Sequence, residues 1–143
     1  MTPRNIHGDW KMHLEGRILY SKVVGGINEE ATKAWFEEMK QCILSSTDGD
    51  TKPWVLLNDC TEFLGAALDS WEAINEVTDW ECQHNCVLLA TVISNKVQNY
   101  LMDTILNGQL ALHVYFDYDE AYQACLEKLA EVQKSKSFHK PRS

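Results

Sequence analysis

The cluster Asn58-Asp59-Cys60-Thr61 comes directly after the apolar run Trp54-Val55-Leu56-Leu57 and offers an amide, a carboxylate, a thiol and a hydroxyl in succession. An apolar strand that stops at such a cluster is where α/β proteins commonly build their sites. Asp59 and Thr61 can hold the polar part of a ligand or meet a partner, and the competing expectation is a turn in which Asp59 accepts from backbone amides. Cys60 would need a base to become a nucleophile. No basic residue adjoins it, and nothing in the sequence positions it beside His13, His113 or the terminal His7 and His139. His13 and His113 fall in strand patterns and read as packed or edge side chains. The segment Cys82-Gln83-His84-Asn85-Cys86 collects three potential metal ligands, yet neither CxxC nor HxxxH occurs anywhere in the chain. The segment also runs into a strand, which splays alternate side chains. The expectation is no metal, no cofactor and no enzyme.

The second distinctive stretch lies just downstream. Nearly every residue from Phe63 to Trp71 is apolar, including Leu64, Ala66, Ala67 and Leu68, although Cys60 to Leu68 reads as a long connection. Loops run over surfaces, so this area must form a lid, line a pocket or meet another chain. A pocket would be shared with Trp35, Phe36 and Met39 of the first helix. Ser70, next to Asp69, falls in the first turn of the next helix, where unpaired N–H groups favour a phosphate. The simpler expectation is that Asp69 caps that helix and Ser70 is tolerated there.

These side chains need a scaffold, and the hydrophobic periods supply it. Trp10 to Leu14 and Ile18 to Val24 alternate around Glu15-Gly16-Arg17 and predict a hairpin, which Gly25-Gly26 should end. Asn28 can cap a helix whose first turn carries Glu29 and Glu30 and whose apolar stripe is Ala31, Trp35, Met39, Cys42 and Ile43. The loop Ser45 to Pro53 leads to the strand Trp54 to Leu57, apolar throughout as a strand covered on both faces should be. A helix from about Asp69 to Trp80 and a strand from Cys86 to Ile93 come next. A third helix from Ser94 closes at Asn107-Gly108, a strand spans His113 to Phe116, and a last helix opens at Asp117 or Asp119. Gln133 to Ser143 reads as a frayed tail. The order is β-β-α-β-α-β-α-β-α, an α/β chain with a mixed four- to five-stranded sheet and about four flanking helices.

Composition limits what such a scaffold can do. At 143 residues with 45% hydrophobic content the chain suits a single domain, residues 1–143, with its core in about 10–132. Twenty-one acidic against 13 basic side chains give a net charge of −8, which disfavours nucleic acid and anionic membrane surfaces as partners. No apolar run is long enough for a membrane span and the first residues lack a secretory signal, so a cytoplasmic location is expected. The odd count of five cysteines reads as reduced thiols. An exposed apolar connection on so small a domain would favour a homodimer.

The element order, with Leu56-Leu57-Asn58-Asp59 ahead of a helix, the strand Val87 to Ile93 entering Ser94-Asn95, and the ending Tyr115-Phe116-Asp117-Tyr118-Asp119-Glu120-Ala121, resembles the SpoIIAA-like branch of the STAS superfamily. The likeness spans roughly Trp10 to Leu129 and rests on the joint order of the motifs. It implies a topology shared with anti-sigma-factor antagonists and CRAL-TRIO lipid carriers. Antagonists carry a phosphorylatable residue in an Asp-Ser-Ser-Gly-like motif at the start of a helix. Here Asp69-Ser70-Trp71-Glu72 stands in its place, with Trp71 for the second Ser and Glu72 for the Gly. The resemblance thus implies an interaction or regulatory module with an unknown protein partner and a degraded phospho-switch. The alternative is a carrier that holds an apolar or lipid-like small molecule between helices and sheet. The binding residues expected are Asp59, Thr61, Phe63, Leu64, Ser70, Trp71, Trp35 and Met39.

Overall fold

A computed structural model describes residues 8–66, 70–95 and 112–138. Its elements run β1 (Asp9–Glu15), β2 (Ile18–Ile27), α1 (Glu29–Leu44), β3 (Trp54–Ala66), α2 (Trp71–Gln83), β4 (Cys86–Val92), β5 (Leu112–Tyr115) and α3 (Tyr118–Phe138). The strands form one sheet in the order β1-β2-β3-β4-β5, with β1 antiparallel to β2 and the other neighbours parallel. The mixed α/β sheet agrees with the sequence pattern, with three helices among the described residues. The helix expected after Ser94 falls on 96–111, outside them.

Strand alternation sorts the core into two layers. Trp54 and Leu56 of β3, Leu19 of β2 and Leu89 of β4 pack against Met39 and Ile43 of α1 and Val77 of α2. Val55, Leu57, Ile18, Leu88 and Ala90 point the other way, onto Ala121 and Cys125 of α3. A strand buried on both faces has no polar side to spare, which is why Trp54 to Leu57 is apolar at every position. α1 begins where the sequence places it: Asn28 Oδ1 accepts from the Ala31 N–H at 3.0 Å, and Glu29 and Glu30 lie at the positive end of the helix.

Four boundaries differ from the sequence expectation. β2 does not stop at Gly25-Gly26, and β3 does not stop at Leu57. Parallel pairing continues past both, joining Gly26 to Gly65 and Ile27 to Ala66 through register shifts between Lys22 and Val24 and between Gly25 and Gly26. Gly25 at φ 81° and Gly65 at φ 123° adopt backbone that side chains resist, and so let the irregular ladder run on. Most of the expected apolar loop is therefore a strand.

The next helix, α2, has Ser70 at its N-cap, while Asp69, the expected cap, lies outside the described residues. Ser70 makes no side-chain cap bond. Its buried hydroxyl donates to the Ile27 carbonyl at 3.4 Å, tying the helix start to the end of β2. At its other end α2 reaches Gln83, past Trp80, and Asn85 at φ 69° turns the chain into β4. α3 continues to Phe138, so residues 133–138 are helical where a frayed tail was expected.

Candidate functional site

In register, Ser21 of β2 pairs with Asn58 of β3, and Asn58 with Thr91 of β4. The three form a polar row across adjacent strands, on the face that carries Leu19, Leu56 and Leu89. Pleating puts that row under α1 and α2, where an apolar layer would be the default. Above it lies a cavity of about 110 Å³, lined by Asn58 and Thr91 below and by Thr32, Trp35, Thr78 and Glu81 of the two helices above. Trp10, Ile27 and Phe63 also line it, toward the carboxyl ends of β2 and β3. Leu56, Leu89 and Val77 keep its remaining wall apolar.

Two oxygens at this cavity are buried without a hydrogen-bond partner, Asn58 Oδ1 and Glu81 Oε2. Native interiors rarely leave such acceptors unmet, because an unpaired buried polar group costs roughly 1–3 kcal/mol. Burial alone pushes the Glu81 carboxyl up from its ordinary 4.5 to about 8. Glu81 is therefore the neutral acid at pH 7 in the ligand-free protein. Four nearby donors are engaged elsewhere. Trp35 Nε1 donates to Ser21 Oγ at 3.0 Å and Trp10 Nε1 to Glu38 Oε1 at 3.0 Å. Thr32 and Thr78 hydroxyls donate to the carbonyls of Asn28 and Ile74 at 2.9 and 3.1 Å.

The structure separates the residues expected to bind. Trp35 and Phe63 line the cavity. Met39, fully buried, belongs to the core between α1 and the sheet. Asp59 is one residue out of phase with Asn58 and approaches Tyr118 of α3, whose phenol burial and the Asp59 charge push up. Its Oδ1 accepts the Thr61 N–H at 3.0 Å and the Thr61 hydroxyl at 2.7 Å. The short-range bond expected of a turn thus forms inside β3, beside its bulge. Leu64 is 76% exposed. Ser70 is closed off from solvent, and the Trp71 side chain lies outside the described residues. The premise of the homodimer changes accordingly, since Phe63 is buried within its own chain and Leu64 is the exposed large apolar side chain of the described part of that stretch.

The candidate metal segment is pulled apart by its own contacts. His84 stacks on Trp80 at 4.2 Å, its Nδ1–H donates to the Trp80 carbonyl at 2.7 Å, and Nε2 faces Asp50 at 3.7 Å. Cys82 is exposed and Cys86 buried. Cys60 lines the cavity, but burial and the Asp59 charge push its thiol far above the ordinary value, which opposes a thiolate.

Glu81, Asn58 and Thr91 were not among the expected site residues. A signal for Glu81 exists: on a helix carried to Gln83 it stands four residues past Val77 and seven past Ile74, on the buried stripe. Asn58 continues the strand phase of Trp54 and Leu56 and so shares their face.

A five-stranded mixed sheet of this order, with helices on both faces, is a SpoIIAA-like fold. No protein-family model and no curated protein matches the sequence. Among solved structures, an uncharacterized DUF3478-family protein with a SpoIIAA-like fold from Shewanella loihica PV-4 superimposes with a TM-score of 0.60 at 17% identity, covering 87% of this chain and 98% of that one. An anti-sigma factor antagonist from Mycobacterium paratuberculosis also aligns with a TM-score of 0.60, at 12% identity over 84% of this chain and 95% of that one. At identities this low, the superpositions establish the shared fold alone.

Proposed function

We propose that this protein is a non-enzymatic SpoIIAA-like module that binds a small, largely apolar molecule between its sheet and α1 and α2. The observation that carries this reading is the 110 Å³ cavity with Asn58 Oδ1 and Glu81 Oε2 unpartnered at its wall. An engineered apolar cavity of about 150 Å³ holds benzene, so this smaller, partly open space takes a short alkyl chain, or a ring that reaches toward its open side, and is too small for a long lipid tail. A regulatory role, in which occupancy is passed to a protein partner, finds support in the fold shared with an anti-sigma factor antagonist. A phospho-switch at Ser70 finds none, because the hydroxyl is buried and bonded to Ile27.

Titration with toluene, monitored by amide chemical shifts, tests the cavity. Shifts should centre on Val77, Leu89 and Thr91, and Val77→Phe, which fills the space from α2, should abolish them while the protein stays folded. Folded wild-type protein whose spectrum toluene leaves unchanged would remove the basis for a ligand site.

A further inference from the structure

Resting on the ligand cavity just described, we infer that its occupant is a small apolar primary amine, held as the ammonium by Glu81 Oε2 and Asn58 Oδ1, with its hydrocarbon part against Trp10, Trp35 and Phe63. The chemistry of the wall selects this class. Two buried oxygens wait for donors, while the indole N–H groups of Trp10 and Trp35 and the hydroxyl hydrogens of Thr32 and Thr78 already have acceptors. A ligand that brings only acceptors, such as a carboxylate or phosphate, could take the O–H of the neutral Glu81 acid but would leave Asn58 Oδ1 unmet. An ammonium brings three donors and a charge that one carboxylate neutralises. Aromatic rings in the wall suit both its hydrocarbon part and its charge.

The charges about Glu81 leave room for a cation. Among the described lining residues, Cys60 of β3 and Glu81 are the titratable ones, and none is basic. β2, α1 and β4 contribute Val23, Ile27, Ala31, Thr32, Trp35, Leu89 and Thr91 to the lining, all uncharged. Outside the cavity, Cys86 at the start of β4 and Cys82 on α2 feel the Glu81 charge, which helps to push both thiols up. They remain neutral thiols. Nothing cationic among these residues competes for the carboxylate.

Binding then moves one proton. The ammonium enters from water and pairs with Glu81, whose carboxyl O–H breaks. The electron pair stays on oxygen as the carboxylate and the proton passes to solvent. No oxidation or reduction takes place. Affinity consequently rises with pH wherever the ligand-free protein holds the acid, by up to about tenfold per pH unit below the Glu81 pKa.

Calorimetry of benzylamine, in two buffers of different ionisation enthalpy at about pH 6.5, reads this proton directly. Wild-type protein should release close to one proton per benzylamine bound, and Glu81→Gln should release none and bind at least tenfold more weakly. Toluene and benzyl alcohol, of similar size, should bind wild type with no proton released and with less affinity than benzylamine gains at higher pH. If benzylamine binds at about pH 6.5 without releasing a proton, or at about pH 8 binds no better than toluene, the amine inference falls while the cavity reading stands. If neither benzylamine nor toluene binds folded wild-type protein, both fall together.

Discussion

Glu81 links the site to the stability of the fold, because its carboxyl is buried among groups that give it no hydrogen bond at Oε2. Its pKa rises from 4.5 to about 8 by burial, so the folded chain keeps a proton that the unfolded chain releases across that window. Native protein binds the extra proton, and stability present below about pH 4.5 is lost as pH climbs toward about 8. A shift of that size corresponds to about 5 kcal/mol. Glu81→Gln removes the titration. Ligand-free wild type and variant should be close in stability at about pH 5, and at about pH 8 the variant should be the more stable by several kcal/mol in urea denaturation. An equal fall in both would show that Glu81 is not held neutral. This residue was legible in the sequence in principle, since it continues the stripe of Ile74, Val77 and Thr78. Ending the helix at Trp80 hid it. Asn58, by contrast, was in plain view within the cluster after Leu57, yet only the register that sets it between Ser21 and Thr91 distinguishes it from Asp59. Register is a property of paired strands, and one strand's sequence does not state it.

At the level of elements, β3 is where the sequence and the structure part most. The run from Asn58 to Glu62 is polar and Gly65 interrupts the apolar stretch beyond it, so local pattern ends the strand early. Its partner decides otherwise. β2 is ten residues long and supplies a parallel ladder up to Ile27, which β3 can track only because Gly25 and Gly65 absorb the irregular steps. The hairpin, α1 and β4 were legible because their periods are strong and their caps local. A long-range contact that the sequence leaves hidden is Arg17, in the β1–β2 turn. Its guanidinium donates to the carbonyls of Gly49 at 2.8 Å, Lys52 at 2.7 Å and Pro53 at 3.2 Å, and to Ser46 Oγ at 3.4 Å. The polar loop between α1 and β3 is thus folded around one side chain. Arg17→Ala should cost about 2–3 kcal/mol, since hydrogen bonds to a charged group are worth more than neutral ones and three carbonyls lose their donor. Arg17→Lys should recover little, because a compact ammonium cannot reproduce the planar fork. Urea denaturation of both variants measures the difference, and a lysine variant as stable as wild type would show that charge alone suffices.

For the molecule as a whole, the two-layer arrangement was readable from alternating strands and helices, because each apolar face must find a cover and right-handed crossovers allow few ways to supply one. The net charge of −8 adds a property that no single site displays. Its field draws cations toward the surface and repels anions and other copies of the chain, over a range of about 10 Å at 0.1 M salt. That field acts on benzylammonium and leaves toluene untouched. Once bound, the ammonium lies in a buried pair that salt screens far less than it screens the approach. Added sodium chloride should therefore slow benzylamine association by several-fold and leave its dissociation rate nearly unchanged, while toluene shows neither effect. Line-shape analysis of the titrated amide signals yields both rates. Equal salt sensitivity for the two probes would place the benzylamine effect in the protein's conformation, whereas sensitivity confined to benzylamine association is what an acidic molecule guarding an acidic cavity produces.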